Sequence, residues 1–228
     1  MSRIPVYFMP GLAASPTIFE NIKLPEDEFE IILLEWFIPL DKESLEDYAL
    51  RMTKNIKHEN PVLIGVSFGG ILVQEIAKLI KVRKTIIISS VKSNKEFPRR
   101  MKIAKSTMAY KLIPTQLLSN VEALAKYAFG ETVTKRLALY ERYLQMRDKK
   151  YLDWAIENVI LWKNDKAYHD PSKGLGTQGI VIYFPDNFLN NSVFELEELE
   201  GIAKLLQLSK RGIEVTGETN LRITQLMQ

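Results

Sequence analysis

Residues 65–69 place one serine between two glycines, in the order Gly-Val-Ser-Phe-Gly. The four residues before this motif are apolar and partly β-branched, which is typical of a buried parallel strand. In the residues after it, 70–80, apolar side chains recur at helical spacing. The sequence therefore predicts a strand, a tight turn at Ser67 and a helix, and this order limits the possible folds more than any other feature of the chain.

A turn of this kind has a chemical consequence for Ser67, because it lifts the hydroxyl above the edge of the sheet. Glycine on both sides removes the Cβ atoms that would clash in so tight a bend. The helix N-terminus adds free backbone N–H groups and a dipole that favours developing negative charge. These features predict a nucleophilic serine. The alternative is a structural turn in which the serine hydroxyl only caps the helix.

The composition excludes several other classes of protein. The chain has 228 residues, 46% of them hydrophobic and 26% charged, which suits one soluble domain with a sizeable core. It has no cysteine, which excludes disulfides, thiolate nucleophiles and cysteine metal sites. A net charge of +3 does not indicate nucleic-acid binding. No apolar run is long enough to span a bilayer and no signal peptide opens the chain, so we expect a cytoplasmic location.

Strands and helices alternate along the first 97 residues. Apolar runs predict strands at residues 5–9, 29–34, 61–64 and 85–89, with a helix at 41–58 before the third strand. At the start of this helix Ser44 and Asp47 form a capping box in which aspartate replaces the usual glutamate or glutamine. Such alternation predicts an α/β fold, a parallel sheet with helices on both faces.

A block of helices interrupts this alternation at residues 98–163. The sheet is predicted to resume with a strand at 179–184, followed by a helix at 194–210 and a final strand at 213–216. Helices inserted between two strands suggest a lid over the C-terminal edge of the sheet, where open parallel sheets bind ligands. The chain thus divides into a core at 1–97, a helical lid at 98–163 and a return to the sheet at 164–228.

The loop that follows the first strand, residues 9–15, is the second element with chemical meaning. In a parallel sheet this loop can lie beside the turn at Ser67. Acyl transfer needs two N–H donors directed at the oxyanion of the tetrahedral intermediate. Phe68 supplies one such donor, and Leu12 in the loop can supply the other. The alternative is an ordinary turn built on Pro10 and Gly11.

These elements together resemble the α/β-hydrolase family, in particular short bacterial members that begin at this strand. The resemblance rests on residues 8–12 (Phe-Met-Pro-Gly-Leu), residues 65–70 (Gly-Val-Ser-Phe-Gly-Gly) and the helical insertion after residues 89–91, and it extends from about residue 4 to about residue 168. It implies an α/β-hydrolase-like sheet with the lid inserted after the fourth strand. It also implies that Ser67 is the nucleophile and that the Leu12 and Phe68 amides form the oxyanion hole.

Beyond residue 168 the sequence departs from the family pattern. The family places an acid and then a histidine after the serine. Asp186 follows the late strand and suits the acid, although an ordinary turn aspartate is the alternative. No histidine follows Asp186, and the chain contains only His58 and His169. His58 is expected at the opposite edge of the sheet, which leaves His169 as the only substitute base, with an exposed loop histidine as the alternative.

The sequence thus predicts a serine hydrolase for carboxyl ester or thioester bonds, impaired because the expected histidine is absent. The alternative is a non-catalytic binding or interaction protein on the same fold. The expected partner is a small-molecule acyl ester or thioester. No cofactor is expected, since the glycine spacing at residues 174–179 precedes a strand rather than following one, and no metal spacing is present.

A basic cluster at residues 99–111 is either a solvated helix face or a surface that attracts an acidic acyl carrier. Residues 169–228 are a diverged end, a gene fusion or the product of a changed reading frame.

Overall fold

The computed structural model describes residues 3–97, 99–113, 120, 141–164 and 178–182. Its centre is a parallel sheet of five strands in the spatial order β2-β1-β3-β4-β5. The strands are β1 (Ile4–Met9), β2 (Phe29–Leu33), β3 (Val62–Val66), β4 (Lys84–Ile88) and β5 (Gln178–Ile182). All five lie within two residues of the bounds predicted from the sequence, because long apolar runs are what a buried parallel strand requires.

Four α-helices are described: α1 (Leu45–Thr53), α2 (Phe68–Leu79), α3 (Arg99–Thr107) and α4 (Lys149–Leu161). Short 3₁₀ turns lie at Pro16–Phe19, Asn94–Glu96 and Ala109–Leu112. None of these helices is long and apolar enough to cross a membrane, a finding that applies to the described residues. The expected cytoplasmic location stays a prediction.

The described helices α1, α2 and α4 pack on one face of the sheet. Tyr7, Met9 and Leu63 point to this face and join the helices in one large buried cluster. The opposite face carries a smaller cluster, which includes Phe8 and, from the 3₁₀ turn after β1, Phe19. The reason is topological: the connections from β2 to β3 and from β3 to β4 step in the same direction, so right-handed crossovers place α1 and α2 on the same side.

Helix α1 is shorter than the predicted span 41–58. It begins after Ser44, whose Oγ accepts a hydrogen bond from the Asp47 N–H at 3.0 Å, and it ends at Thr53. The Asp47 carboxylate accepts from the Ser44 hydroxyl at 2.7 Å instead. The aspartate side chain is one methylene shorter than that of glutamate, so the predicted capping box forms only in part.

Between β4 and β5 the described chain contains only helices and turns, as the sequence predicts for residues 98–163. The predicted helical segments near Ile103 and Trp154 correspond to α3 and α4. Those near residues 117–127 and 137–144 lie wholly or mostly outside the described residues. The predicted helix at 194–210 and the strand at 213–216 lie outside them as well.

Candidate active site

Ser67 lies between β3 and α2 in a backbone conformation that few non-glycine residues adopt, with φ 50° and ψ −117°. Hydrogen bonds to both backbone polar groups hold this conformation. The Ser67 N–H donates to the Ile88 carbonyl at 2.9 Å, and the Ser67 carbonyl accepts from the Gly70 N–H at 2.9 Å and the Ser90 hydroxyl at 2.7 Å. Strain of this kind persists only where the surrounding structure enforces it.

The Ser67 hydroxyl itself is exposed, although the residues on either side of the turn are largely buried. Ser67 occupies the N-cap position of α2, yet its side chain makes no capping hydrogen bond. The interpretation of Ser67 as a simple helix cap is therefore wrong. The turn presents the hydroxyl to solvent at the carboxyl end of the sheet.

The motif glycines are required by close approach. A Cβ added to Gly65 would lie 2.3 Å from the Gly69 carbonyl oxygen. A Cβ added to Gly69 would lie 2.3 Å from the Pro10 carbonyl oxygen and 2.5 Å from that of Met9. Real Cβ atoms essentially never come within 3.0 Å of other atoms in this way, so both positions need glycine. Gly69 thereby brings the start of α2 against the loop that follows β1.

The loop after β1 lies beside Ser67, because β1 and β3 are neighbouring strands with Met9 in register with Gly65. A Cβ built on Gly11 would lie 3.5 Å from the Ser67 Cβ, which places the backbone of this loop next to the serine. This is the juxtaposition expected from the sequence.

The N–H groups of this loop and of the turn at Ser67 differ in whether they have a hydrogen-bond acceptor. The Ala13 N–H donates to the Tyr151 hydroxyl at 3.2 Å, and the Ala14 N–H donates to the Gly11 carbonyl at 3.1 Å. The N–H groups of Leu12 and Phe68, by contrast, have no hydrogen-bond acceptor among the residues that the structure describes. Leu12 belongs to the loop that lies next to Ser67, and Phe68 directly follows Ser67 in the chain.

The loop is held from several directions. The Trp36 Nε1–H donates to the Gly11 carbonyl at 2.8 Å, and the Met146 N–H donates to the Ala13 carbonyl at 3.0 Å. The Ser15 N–H donates to the Tyr143 carbonyl at 2.7 Å. Ala13 adopts φ 61°, a left-handed conformation that such hydrogen bonds sustain.

Tyr151 on α4 is fully buried, and burial raises the pKa of its hydroxyl well above the ordinary value. It therefore stays a neutral phenol that accepts from the Ala13 N–H. Its ring lies 5.4 Å from that of Trp36, which in turn stacks on Phe68 at 4.9 Å with an angle of 9° between the planes. The Trp154 ring lies 5.8 Å from Phe68 and packs against Tyr48 at 4.3 Å. An aromatic cluster thus links the helices after β4 to the residue that follows Ser67.

The predicted acid, Asp186, and the predicted base, His169, lie outside the described residues. His58 lies at the opposite edge of the sheet, as expected, where its Nδ1 is 2.8 Å from the Tyr7 hydroxyl and its Nε2 is 3.9 Å from the Glu30 carboxylate. It therefore bonds a residue of strand β1. Among the described residues, no group of three carboxylate or histidine side chains could hold a metal ion.

Sequence reasoning missed three residues that support this site. Trp36 and Ser90 each come a few residues after a strand, so the rule that carboxyl ends of parallel strands share one edge was a signal for both. Tyr151 comes from a helix more than 80 residues after Ser67, and no local pattern indicates its contact with Ala13.

Comparison of the sequence with protein-family models and with curated proteins gives no match. Solved structures do match. A thermophilic esterase from Thermogutta terrifontis has TM-score 0.58 and 14% identity, covering 89% of this chain and 78% of that one. A lipase-esterase related protein from Clostridium acetobutylicum has TM-score 0.58 and 15% identity, covering 90% and 93%. A hydrolase from Pseudomonas aeruginosa has TM-score 0.53 and 12% identity, covering 79% and 71%. The chain has the α/β-hydrolase fold that the sequence predicted.

Proposed function

We propose that this chain is a serine hydrolase that acts on carboxyl ester or thioester bonds, with Ser67 as its nucleophile. The observation that carries the proposal is the exposed Ser67, with a positive φ angle, at the turn between β3 and α2 and next to the loop that contains Leu12. Proteins with the same fold include an esterase and a lipase-esterase related protein, which supports this reaction class.

In the proposed reaction the Ser67 Oγ attacks the carbonyl carbon of the substrate while a base takes the hydroxyl proton. The resulting oxyanion accepts hydrogen bonds from the Leu12 and Phe68 N–H groups, and the dipole of α2 favours the same negative charge. The bond to the leaving alcohol or thiol then breaks, and the leaving group receives the proton. Water attacks the acyl-serine in the second half of the reaction and releases the acid.

The base is the incomplete part of this machinery. His58 contacts Tyr7 at the other edge of the sheet, which removes it from the chemistry. His169 is the one other histidine in the sequence and is therefore the candidate base, with Asp186 as the acid that orients it. Because no histidine follows Asp186 in the usual order, we propose that the enzyme is impaired. Loss of a triad member costs on the order of 10⁴- to 10⁶-fold in turnover.

The helices between β4 and β5 are the proposed lid and acyl pocket. Trp154 of α4 is buried against Phe68 and Tyr48, and its Nε1–H donates to the Glu43 carbonyl at 2.8 Å. These contacts attach α4 to the elements around Ser67. We propose that apolar side chains of these helices also line the pocket for the acyl part of a small-molecule ester or thioester.

A second candidate is a non-catalytic binding protein that uses the same pocket. The absence of any histidine after Asp186 favours it, because an elbow and two N–H donors bind an anionic or carbonyl group without a base. The two candidates differ in whether Ser67 reacts covalently.

A serine-reactive fluorophosphonate probe separates the two candidates. We expect labelling of the wild-type chain that disappears in Ser67→Ala. Ser106→Ala is the matched control, since Ser106 is an exposed serine on α3, and it should label like the wild type. Well-folded wild-type protein that takes up no probe would favour binding over catalysis.

A further inference from the structure

One segment of the chain carries most of its excess positive charge. Residues 92–113 contain seven lysine or arginine residues and one glutamate, a net charge of +6, whereas the whole chain has +3. The rest of the chain therefore sums to −3. Ser90, two residues before this segment, donates a hydrogen bond to the Ser67 carbonyl. The positively charged segment therefore begins, along the chain, close to the candidate active site.

The same segment exposes large apolar side chains. Ile103 is 60% exposed, Met108 is 58% exposed and Leu112 is 84% exposed, all within ten residues. Exposed lysine and arginine side chains alternate with them at positions that include Arg99 and Lys111. Exposed apolar side chains beside basic ones suit the surface of an anionic membrane, which offers both an acyl-chain boundary and lipid phosphates.

Contacts on the inner side anchor this segment to α4. Tyr110 is buried, and its hydroxyl lies 3.4 Å from the Glu157 carboxylate. The Lys105 Nζ donates to the Leu161 carbonyl at 3.1 Å. These contacts attach the segment to α4, while Leu112 remains exposed.

We propose that α3 and the 3₁₀ turn after it, residues 99–112, dock this protein on an anionic lipid surface. The apolar side chains enter the boundary between head groups and acyl chains, and the basic side chains bind lipid phosphates. A lipid surface is favoured over an acidic protein because it receives exposed apolar side chains without a matching pocket. Docking would bring the edge of the sheet that carries Ser67 towards the membrane.

Vesicle sedimentation tests this proposal with the full chain in a Ser67→Ala background, so that no lipid is hydrolysed. Vesicles of phosphatidylcholine alone are compared with vesicles of equal parts phosphatidylcholine and phosphatidylglycerol. The test variant is Lys111→Gln with Leu112→Gln. The matched control is Leu79→Gln with Lys81→Gln, which removes the same two side-chain types at an exposed site on the opposite edge of the sheet.

We expect tight binding to the anionic vesicles only, weakened on the order of tenfold or more by the test variant. A basic residue near the surface accounts for about fivefold of this, and burial of a leucine for the rest. The control should change binding less than about twofold. Equal binding to both kinds of vesicle, or equal losses in test and control, would overturn the proposal.

The single variants decide between a lipid and an acidic protein. Leu112→Gln alone should weaken binding, because the leucine enters the lipid. Loss of binding in Lys111→Gln but none in Leu112→Gln would indicate a purely electrostatic surface, suited to an acidic partner, and would overturn lipid docking. None of these measurements depends on turnover, so a chain without hydrolase activity can still pass or fail them.

Discussion

Substitution of Gly69 by alanine should destabilise the fold through a backbone clash. The added Cβ would lie 2.3 Å from the Pro10 carbonyl oxygen and 2.5 Å from that of Met9, about 1 Å short of the 3.4 Å at which ordinary contact begins. Neither oxygen belongs to a side chain that can rotate away. Over-packing usually costs about 1–3 kcal/mol, and two backbone contacts place this case at about 3 kcal/mol or more.

Gly11→Ala is the matched control for this substitution. The Cβ built there has its nearest contacts at 3.5 Å and 3.6 Å, which is ordinary van der Waals distance. Both glycines lie in the same small region, so a difference between the two variants reports the clash and not a general sensitivity of the site. We expect the free energy of unfolding of Gly11→Ala to stay within about 1 kcal/mol of the wild type.

Urea unfolding followed by circular dichroism measures both variants, and thermal unfolding gives a second value. A loss of about 3 kcal/mol corresponds to a fall of roughly 6–12 °C in Tm for a chain of this size. This is a large part of the 5–15 kcal/mol that holds a typical domain together. The reasoning is refuted if Gly69→Ala unfolds within 1 kcal/mol of the wild type, or if Gly11→Ala is destabilised as strongly.

Three further predictions concern the surroundings of the site and the sheet. Tyr151→Phe leaves the buried Ala13 N–H without its acceptor, so we expect a loss of about 1–3 kcal/mol in unfolding free energy and slower fluorophosphonate labelling of Ser67; unchanged values for both would contradict the contact. Burial lowers the pKa of Lys84 from 10.5 to about 8, so the unfolded chain binds more protons between these values and stability should rise with pH there; Lys84→Met should abolish that rise. Hydrolysis of p-nitrophenyl acetate should be near background and fall little further in His169→Ala, whereas robust turnover abolished by His169→Ala would establish a rearranged triad.

The central strands β3 and β4 were predictable from the sequence because they are buried on both faces. Every residue of β4 is buried, and its apolar run is visible at residues 86–88. Helix ends were harder, since the periodicity around α1 continues beyond the residues that are helical. Its start depends on the hydrogen bond from the Asp47 N–H to the Ser44 side chain. Such a bond to the backbone competes with continuation of the helix towards the N-terminus, and the local sequence does not show which of the two forms.

The site was predictable where it depends on neighbours along the chain and hidden where it depends on distant ones. The Ser67 elbow follows from the Gly-x-Ser-x-Gly motif and its strand and helix. The hydrogen bond from Trp36 to Gly11 and that from Ala13 to Tyr151 span 25 and 138 residues. Tertiary packing creates them, and no periodicity or motif indicates which aromatic side chain will reach a given carbonyl or N–H.

The two halves of the proposed mechanism make different demands on the fold. The oxyanion-binding half, which consists of the N–H groups of Leu12 and Phe68, is built from backbone, so it depends on glycines and on residues with positive φ angles rather than on a particular side chain. Ala13 and Ser67 both adopt positive φ angles, at a cost of about 1–3 kcal/mol each, and each is held by hydrogen bonds from several elements.

The proton-transfer half depends instead on one imidazole in one place. A chain can lose that histidine and keep the elbow, the loop and the aromatic cluster, because none of their described contacts involves it. A fold that keeps the Ser67 turn and the loop after β1 is therefore equally consistent with an impaired hydrolase and with a protein that binds a carbonyl or an anion. Covalent labelling of Ser67 separates them, because binding needs only the N–H donors, whereas reaction also needs an acceptor for the proton of the hydroxyl.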